Sequence, residues 1–382
     1  RIRRRRPNIV ASFLLFCAVT LIWQVALRGP GTKLGDITAS VPRVSRCLHQ
    51  TGATTAISPL CLVAHAGHSP SPVDNAMTQK NDAEGSRRDY TFNFTHEGVT
   101  CDVGVTSLGS GPGVLLLPAL SSISTRSEMQ GVQEALASSG FEAVAVDWPG
   151  LGSAAKPQAD WSPAAYDAFL TKVLTEVVPS PLLVIAAGHA AGYLVRVAER
   201  LPDAFGRAVL VSPTWRGPVP TMLHGRRPSW LRTICKLVDL PMVGSMFYKL
   251  NLNDFVVRLM ARRHVYSEPR WLDVEPQRME SKRAVARARG ARHASIRFVT
   301  GSLDPFETAG PFLNAARKLS SRMLIIIGSE MPARSRVELE PLLSEAEIPP
   351  VILERGRLGV HEEFPAEVSQ QISAFAMQPA DE

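Results

Sequence analysis

Apolar residues along this chain change their spacing several times, and the changes mark out its elements. From Tyr90, the segments TFNF and VTCDVGVTSL alternate apolar and polar positions. A turn at His96–Gly98 between them predicts two antiparallel strands. Val114–Leu117 is a short unbroken apolar run, the pattern of a strand buried on both faces. Helical spacing over Ser127–Ser138 ends at Gly140. Further strands are predicted at Glu142–Val146, Leu182–Ala186 and Ala208–Val211. Helices are predicted at Ser162–Val177, where Pro163 follows a capping serine, and at Ala190–Arg200. Strand and helix alternating at such short intervals predict a mostly parallel sheet covered on both faces.

Residues 213–320 break that rhythm and read as helical, with apolar positions such as Trp230, Leu231, Ile234, Leu237, Phe247 and Leu259. The strand–helix alternation then resumes: Met323–Ile327, a helix near Val337–Glu345, Val351–Leu353 and a last helix at Val368–Met377. A helical insertion between the sixth and seventh strands of such a sheet is expected to be a lid.

The first eighty-eight residues have a different pattern. Asn8–Leu27 carries no charge and follows Arg1 and Arg3 to Arg6. A helix of that length rises about 30 Å, enough to cross a bilayer. Basic residues on its N-terminal side would hold that end in the cytosol-like compartment. Segment 1–28 is therefore expected to be a membrane anchor or a cleaved targeting segment with the same basic start. Residues 29–88 are expected to be a disordered linker or transit-like segment, because they are rich in hydroxyl, Ala, Pro and Gly residues. Together the two segments resemble the bipartite presequence of plastids acquired by secondary endosymbiosis. The expected location is a membrane, which the presequence resemblance assigns to a plastid, or the soluble phase of an organelle after presequence cleavage.

Composition narrows the class. With 45% hydrophobic and 20% charged residues, the 382-residue chain is not a collagen, a coiled-coil rod, a polytopic membrane protein or a wholly disordered polymer. Its five cysteines are scattered and form no CxxC pair, so no disulfide scaffold is expected. His65 and His68 are close, but the histidines show no zinc spacing, and no metal is expected. The net charge of +7 resides in the N-terminal region, where residues 1–88 hold 12 Lys/Arg against 4 Asp/Glu. The other 294 residues hold 30 against 31, so nucleic-acid binding gains no support. Within them, residues 213–300 hold 17 basic groups against 6 acidic ones, and the cluster Lys282–Arg297 is the densest part.

One motif carries a resemblance. Leu183-Val-Ile-Ala-Ala-Gly188-His189-Ala190-Ala191-Gly192 joins a buried strand to a helix. It resembles the nucleophile elbow G-x-S-x-G of the α/β-hydrolase superfamily. The resemblance covers about residues 90–378. Asp147-Trp-Pro-Gly150-Leu-Gly152 matches another habitual piece, with Ala154 where a serine is usual. It implies an α/β-hydrolase fold: a mostly parallel eight-stranded sheet in a domain over residues 89–382, with a helical lid at about 213–320.

The resemblance also implies where catalytic groups should stand. The nucleophile place holds Ala190, whose methyl group has no lone pair to attack a carbonyl. The acid should follow Gly328 by three residues, which is Met331; Glu330 is one place off, and Asp304 belongs to the lid. The histidine should lie after strand eight, where His361 stands. Matching Glu362 and Pro365 to their usual counterparts puts Leu358 at that place instead. The oxyanion hole would use the backbone N–H groups of Ala191 and Leu120, with Pro118-Ala119 in place of the usual His-Gly.

These residues imply a protein of this fold that is non-catalytic at the usual nucleophile and binds a small apolar ligand or a partner at a membrane. The basic lid would meet an acidic partner or anionic lipid. The alternative is a nucleophile-independent enzyme, such as a lyase or cofactor-free oxygenase, or a residual hydrolase, using His361 as base. No cofactor is implied.

Overall fold

Unbroken apolar runs in the sequence become the central strands of one sheet. The computed structural model describes residues 87–345 and 348–378. Segments 1–28 and 29–86, with the expected anchor and linker, lie outside the described residues, as do His65 and His68. Among the described residues no helix is long and apolar enough to cross a membrane.

The chain opens with β1 (Arg88–His96) and β2 (Val99–Leu108), an antiparallel hairpin that turns at Glu97 and Gly98. There follow β3 (Gly113–Leu117), α1 (Gln130–Ser138), β4 (Glu142–Val146), α2 (Pro163–Lys172), β5 (Leu183–Ala187), α3 (Ala190–Arg200) and β6 (Arg207–Val211). Eight helices then intervene: α4 (Pro218–Met222), α5 (Trp230–Asp239), α6 (Val243–Asn251), α7 (Asp254–Met260), α8 (Trp271–Val274), α9 (Pro276–Arg287), α10 (Arg292–Val299) and α11 (Ala309–Arg317). The chain returns through β7 (Met323–Gly328), α12 (Ala333–Glu345), β8 (Pro350–Leu353), α13 (Val360–Glu363) and α14 (Pro365–Ala376). The sheet order is β1-β2-β4-β3-β5-β6-β7-β8. Only β2 runs against its neighbours β1 and β4; every other pair is parallel.

Burial explains these strands. Val114, Leu115, Leu116 and Leu117 of β3 and all five residues of β5 are buried, because helices cover both faces of the sheet. One core holds Leu115, Leu117, Val184 and Ala186 with α2, α3 and α11; the other holds Val114, Leu116, Leu183 and Ile185 with α1 and α14. Trp148, Tyr166, Phe169 and Tyr193 form an aromatic cluster in the first core, with ring centroids 5.5–5.8 Å apart. Ser162 caps α2 by accepting the Ala165 N–H, with Pro163 at its first position.

Two expectations need adjustment. The segment after β8 was expected to be a loop, but residues 360–363 form α13, one helical turn that carries His361. The helix over residues 162–177 changes to a π-turn at Val173–Val177.

Glycine is required where β4 ends. Gly152 has φ +55, and a Cβ there would stand 2.2 Å from Asp147 Oδ1. Asp147 is fully buried and accepts the Arg126 N–H (2.8 Å) and the Arg126 guanidinium (2.5 Å). Gly98 has a similar φ of +79 but open space around it. Gly98→Ala should therefore cost about 1–2 kcal/mol, the left-handed penalty alone. Gly152→Ala should cost clearly more, because it also displaces a buried, charge-bearing carboxylate. Urea unfolding of the two variants checks this, and equal losses would contradict it.

Candidate functional site

The candidate site begins at the turn where β5 feeds α3. Gly188 continues the ladder by donating its N–H to Val211 O, and then turns with φ +52. His189 is the N-cap of α3, and Ala190 is its first residue, in right-handed helix. The left-handed residue is thus Gly188 and not Ala190. Any strain at the turn falls on a residue with no Cβ. The Ala191 N–H, expected in the oxyanion hole, donates to Gly188 O at 3.3 Å. Of Gly188 to Gly192, only His189 carries a side chain capable of acid–base chemistry.

The other positions marked in the sequence are dispersed. Met331 is buried and Leu358 is partly buried; both join the same core as Ala190. Glu330 is largely exposed and lies 3.4 Å from Arg357. His361 is buried, but its carboxylate neighbour is Glu128, at 3.4 Å. That contact lacks hydrogen-bond geometry, and both His361 ring nitrogens have no hydrogen-bond partner. Leu120 is buried beside Ala119.

Glu128 was not legible as a site residue, yet it organises this region. It lies in a 3-10 turn, Arg126–Met129, and is 4% exposed. Its Oε1 accepts the Ala119 N–H at 2.6 Å. Lys282 Nζ, from α9 in the helical insertion, stands 3.7 Å from Oε2 and 3.1 Å from Glu362 Oε2. The Tyr266 hydroxyl donates to the same Glu362 oxygen at 2.6 Å. Burial pushes the Glu128 carboxyl up, but His361, Lys282 and the Ala119 N–H outweigh it and hold it below the ordinary value. Burial likewise pulls Lys282 down, and Glu362 and Glu128 raise it above its usual value. The backbone fastens the insertion to the same loop: Leu358 N–H donates to His264 O and Gly359 N–H to Val265 O. Glu363 accepts the N–H groups of Ser267 and Glu268.

A second buried cluster holds His189. Its Nε2 lies 3.3 Å from Leu303 O and 3.4 Å from Asp304 Oδ1. Asp304 also accepts the Gly217 N–H (2.7 Å) and the Arg227 guanidinium (2.5 Å). Asp304 therefore faces the histidine of the turn, while His361 faces Glu128. Burial pushes Asp304 up to about 7 despite Arg227, and burial pulls His189 down to about 4. A cavity of about 110 Å³ lies elsewhere, lined by Thr106, Arg126, Gln133 and Ser153 among others.

The two shifts act on stability with opposite sign. Asp304 binds its proton more tightly when folded, so its contribution is present at low pH and is lost as pH rises from about 4 to about 7. His189 resists protonation when folded, so its contribution is present above its ordinary 6.5 and is lost as pH falls to about 4. In the parent chain the two slopes oppose each other. Relative to the parent, Asp304→Asn should gain stability with rising pH at roughly 1 kcal/mol per unit between pH 4 and 6.5. His189→Gln should lose stability over the same range. Urea unfolding across pH checks this, and slopes of the same sign in both variants would contradict it.

Comparison with known proteins agrees with this architecture. A model of the alpha/beta hydrolase family matches residues 114–371. No curated protein matches the chain in sequence. A probable hydrolytic enzyme from Pseudomonas aeruginosa PAO1 is similar in structure, with a TM-score of 0.57 at 16% identity, covering 78% of this chain and 96% of that one. A bromoperoxidase from Bacillus anthracis gives 0.55 at 15%, covering 76% and 100%. A haloalkane dehalogenase mutant from Agrobacterium tumefaciens C58 gives 0.55 at 16%, covering 76% and 97%. At such identities the neighbours speak for the fold alone. The sheet order, the β5–α3 turn and the family match agree, and the chain belongs to the alpha/beta hydrolase family.

Proposed function

We propose that this chain is a non-catalytic member of its family, a binding protein whose reaction site is closed by its own side chains. The observation that carries the reading is the turn at 188–192. A nucleophile is sought either at the left-handed residue or at the motif's third place. The first is Gly188, with no side chain, and the second is Ala190, with a methyl group. Neither forms a covalent intermediate. Met331, at the place implied for the acid, and Leu358, one of the two places implied for the histidine, support the same reading by packing in the apolar core. So does Glu128, whose carboxylate takes the Ala119 N–H beside the expected oxyanion hole.

A second reading keeps catalysis without a nucleophile. The His361 Nδ1, which has no partner, favours it, since the buried ring keeps one nitrogen free while Nε2 faces Glu128. Against it, the buried Glu128 carboxylate stands 3.4 Å from that imidazole and is itself held by Lys282 and the Ala119 N–H. On the first reading the bound species is a partner or small apolar ligand that is held and not converted. Asn8–Leu27, if retained, would place this activity at a membrane.

A fluorophosphonate probe should leave the parent chain unlabelled at residues 188–192. Ala190→Ser should also stay silent toward small activated esters, because Leu358 offers the new hydroxyl no base and the His361 Nε2 faces Glu128 instead. Esterase turnover by the parent chain that is lost in His361→Ala would overturn the non-catalytic reading in favour of the second one.

A further inference from the structure

The helical insertion carries an apolar ridge that nothing among the described residues covers. Leu240, Met242, Val243, Met246 and Leu250 are 47–84% exposed. Positions 243, 246 and 250 share one face of α6, while Gly244 and Phe247, on the adjoining face, are buried. Met242, the most exposed of them, is the N-cap of α6 and has φ +57. A positive φ is uncommon for a residue with a side chain, and here it accompanies a large thioether exposed to solvent. Phe255, 73% exposed, follows in α7.

Charge identifies the occupant. Between Ser229 and Leu252 the bases are Arg232, Lys236 and Lys249, all exposed. The one acid in that stretch, Asp239, is turned inward to Arg297 and His293. Between Ser229 and Leu252 the exposed apolar residues are therefore accompanied by exposed bases and by no acidic group free to oppose them. A second copy would bring the same positive charge, so self-association is disfavoured. The ridge, formed by a turn and a helix face, fits the pattern of a surface helix that lies in a lipid interface.

We propose that the ridge Leu240–Leu250 docks on the surface of an anionic phospholipid bilayer, with Met242 and Met246 among the acyl chains and Lys236 and Lys249 at the headgroups. This names the partner surface of the binding protein proposed above and rests on that reading. The test involves no turnover, so its failure would leave the fluorophosphonate result untouched.

The experiment uses the full chain with Cys17, Cys47 and Cys61 replaced by serine. An environment-sensitive fluorophore is attached at Met246→Cys or, as control, at Val337→Cys, an exposed position on α12. The probe reads contact at the ridge itself, so a tether at Asn8–Leu27 holding every variant on the vesicle does not produce the signal. Vesicles containing phosphatidylglycerol should shift the 246 probe to the blue and brighten it, and the 337 probe should not respond. Pure phosphatidylcholine vesicles should bind much more weakly. Lys236→Glu with Lys249→Glu should weaken the phosphatidylglycerol response by roughly tenfold or more. No response at 246, or equal responses at 246 and 337, would overturn the proposal. A response to added unlabelled protein or to polyglutamate, without one to vesicles, would also overturn it and assign the ridge to a second copy or an acidic protein.

Discussion

The buried carboxylate of Glu128 meets the Ala119 N–H, the Lys282 ammonium and the His361 ring within one small volume. A carboxylate this deeply buried must be compensated, because an unpaired charge there costs several kcal/mol. That requirement ties three distant parts of the chain together. The loop after β3 supplies the N–H, α9 of the insertion supplies the cation, and α13 after β8 supplies the imidazole. Removing any one of them leaves the carboxylate undercompensated, so the insertion and the two loops are held as one unit. The same carboxylate takes a backbone donor beside the place where an oxyanion would otherwise be bound.

The sheet provides the frame for this arrangement. Parallel strands β3, β5 and β6 bring the loop at Pro118 and the turn at Gly188 to the same edge, where a Cβ on Gly188 would lie 3.3 Å from the Ala119 Cβ. In a parallel sheet, ligands sit outside the carboxyl ends of the strands. That edge carries Ala190 on the β5–α3 turn, the His189–Asp304 pair and the Glu128 cluster. The insertion also exposes apolar residues, Met242 and Phe255 among them, and basic ones.

Much of the fold was legible because its signals are local. Unbroken runs such as Val114–Leu117, the Ser162–Pro163 cap and the 188–192 glycines each specify their own element. That residues 188–192 join β5 to α3 was legible for the same reason. Which residue takes the left-handed conformation was not: it is Gly188, and Ala190 is in right-handed helix. The partners of His361 and Asp304 were not legible either. Glu128, Lys282 and His361 are far apart in sequence, and nothing in the spacing around any of them signals the others. The expected acid Glu330 looked suitable only because it was near in sequence; in space it pairs with Arg357.

The central claim is that the site is closed by its own carboxylate. Amide hydrogen exchange at Ala119 tests it most directly. A donor held at 2.6 Å by a buried, compensated carboxylate should exchange only through openings close in free energy to global unfolding. Lys282→Met should accelerate Ala119 selectively, while β5 amides keep their protection relative to that variant's own global stability. Exchange of Ala119 in the parent chain as fast as that of exposed loop amides would show an open site and contradict the account.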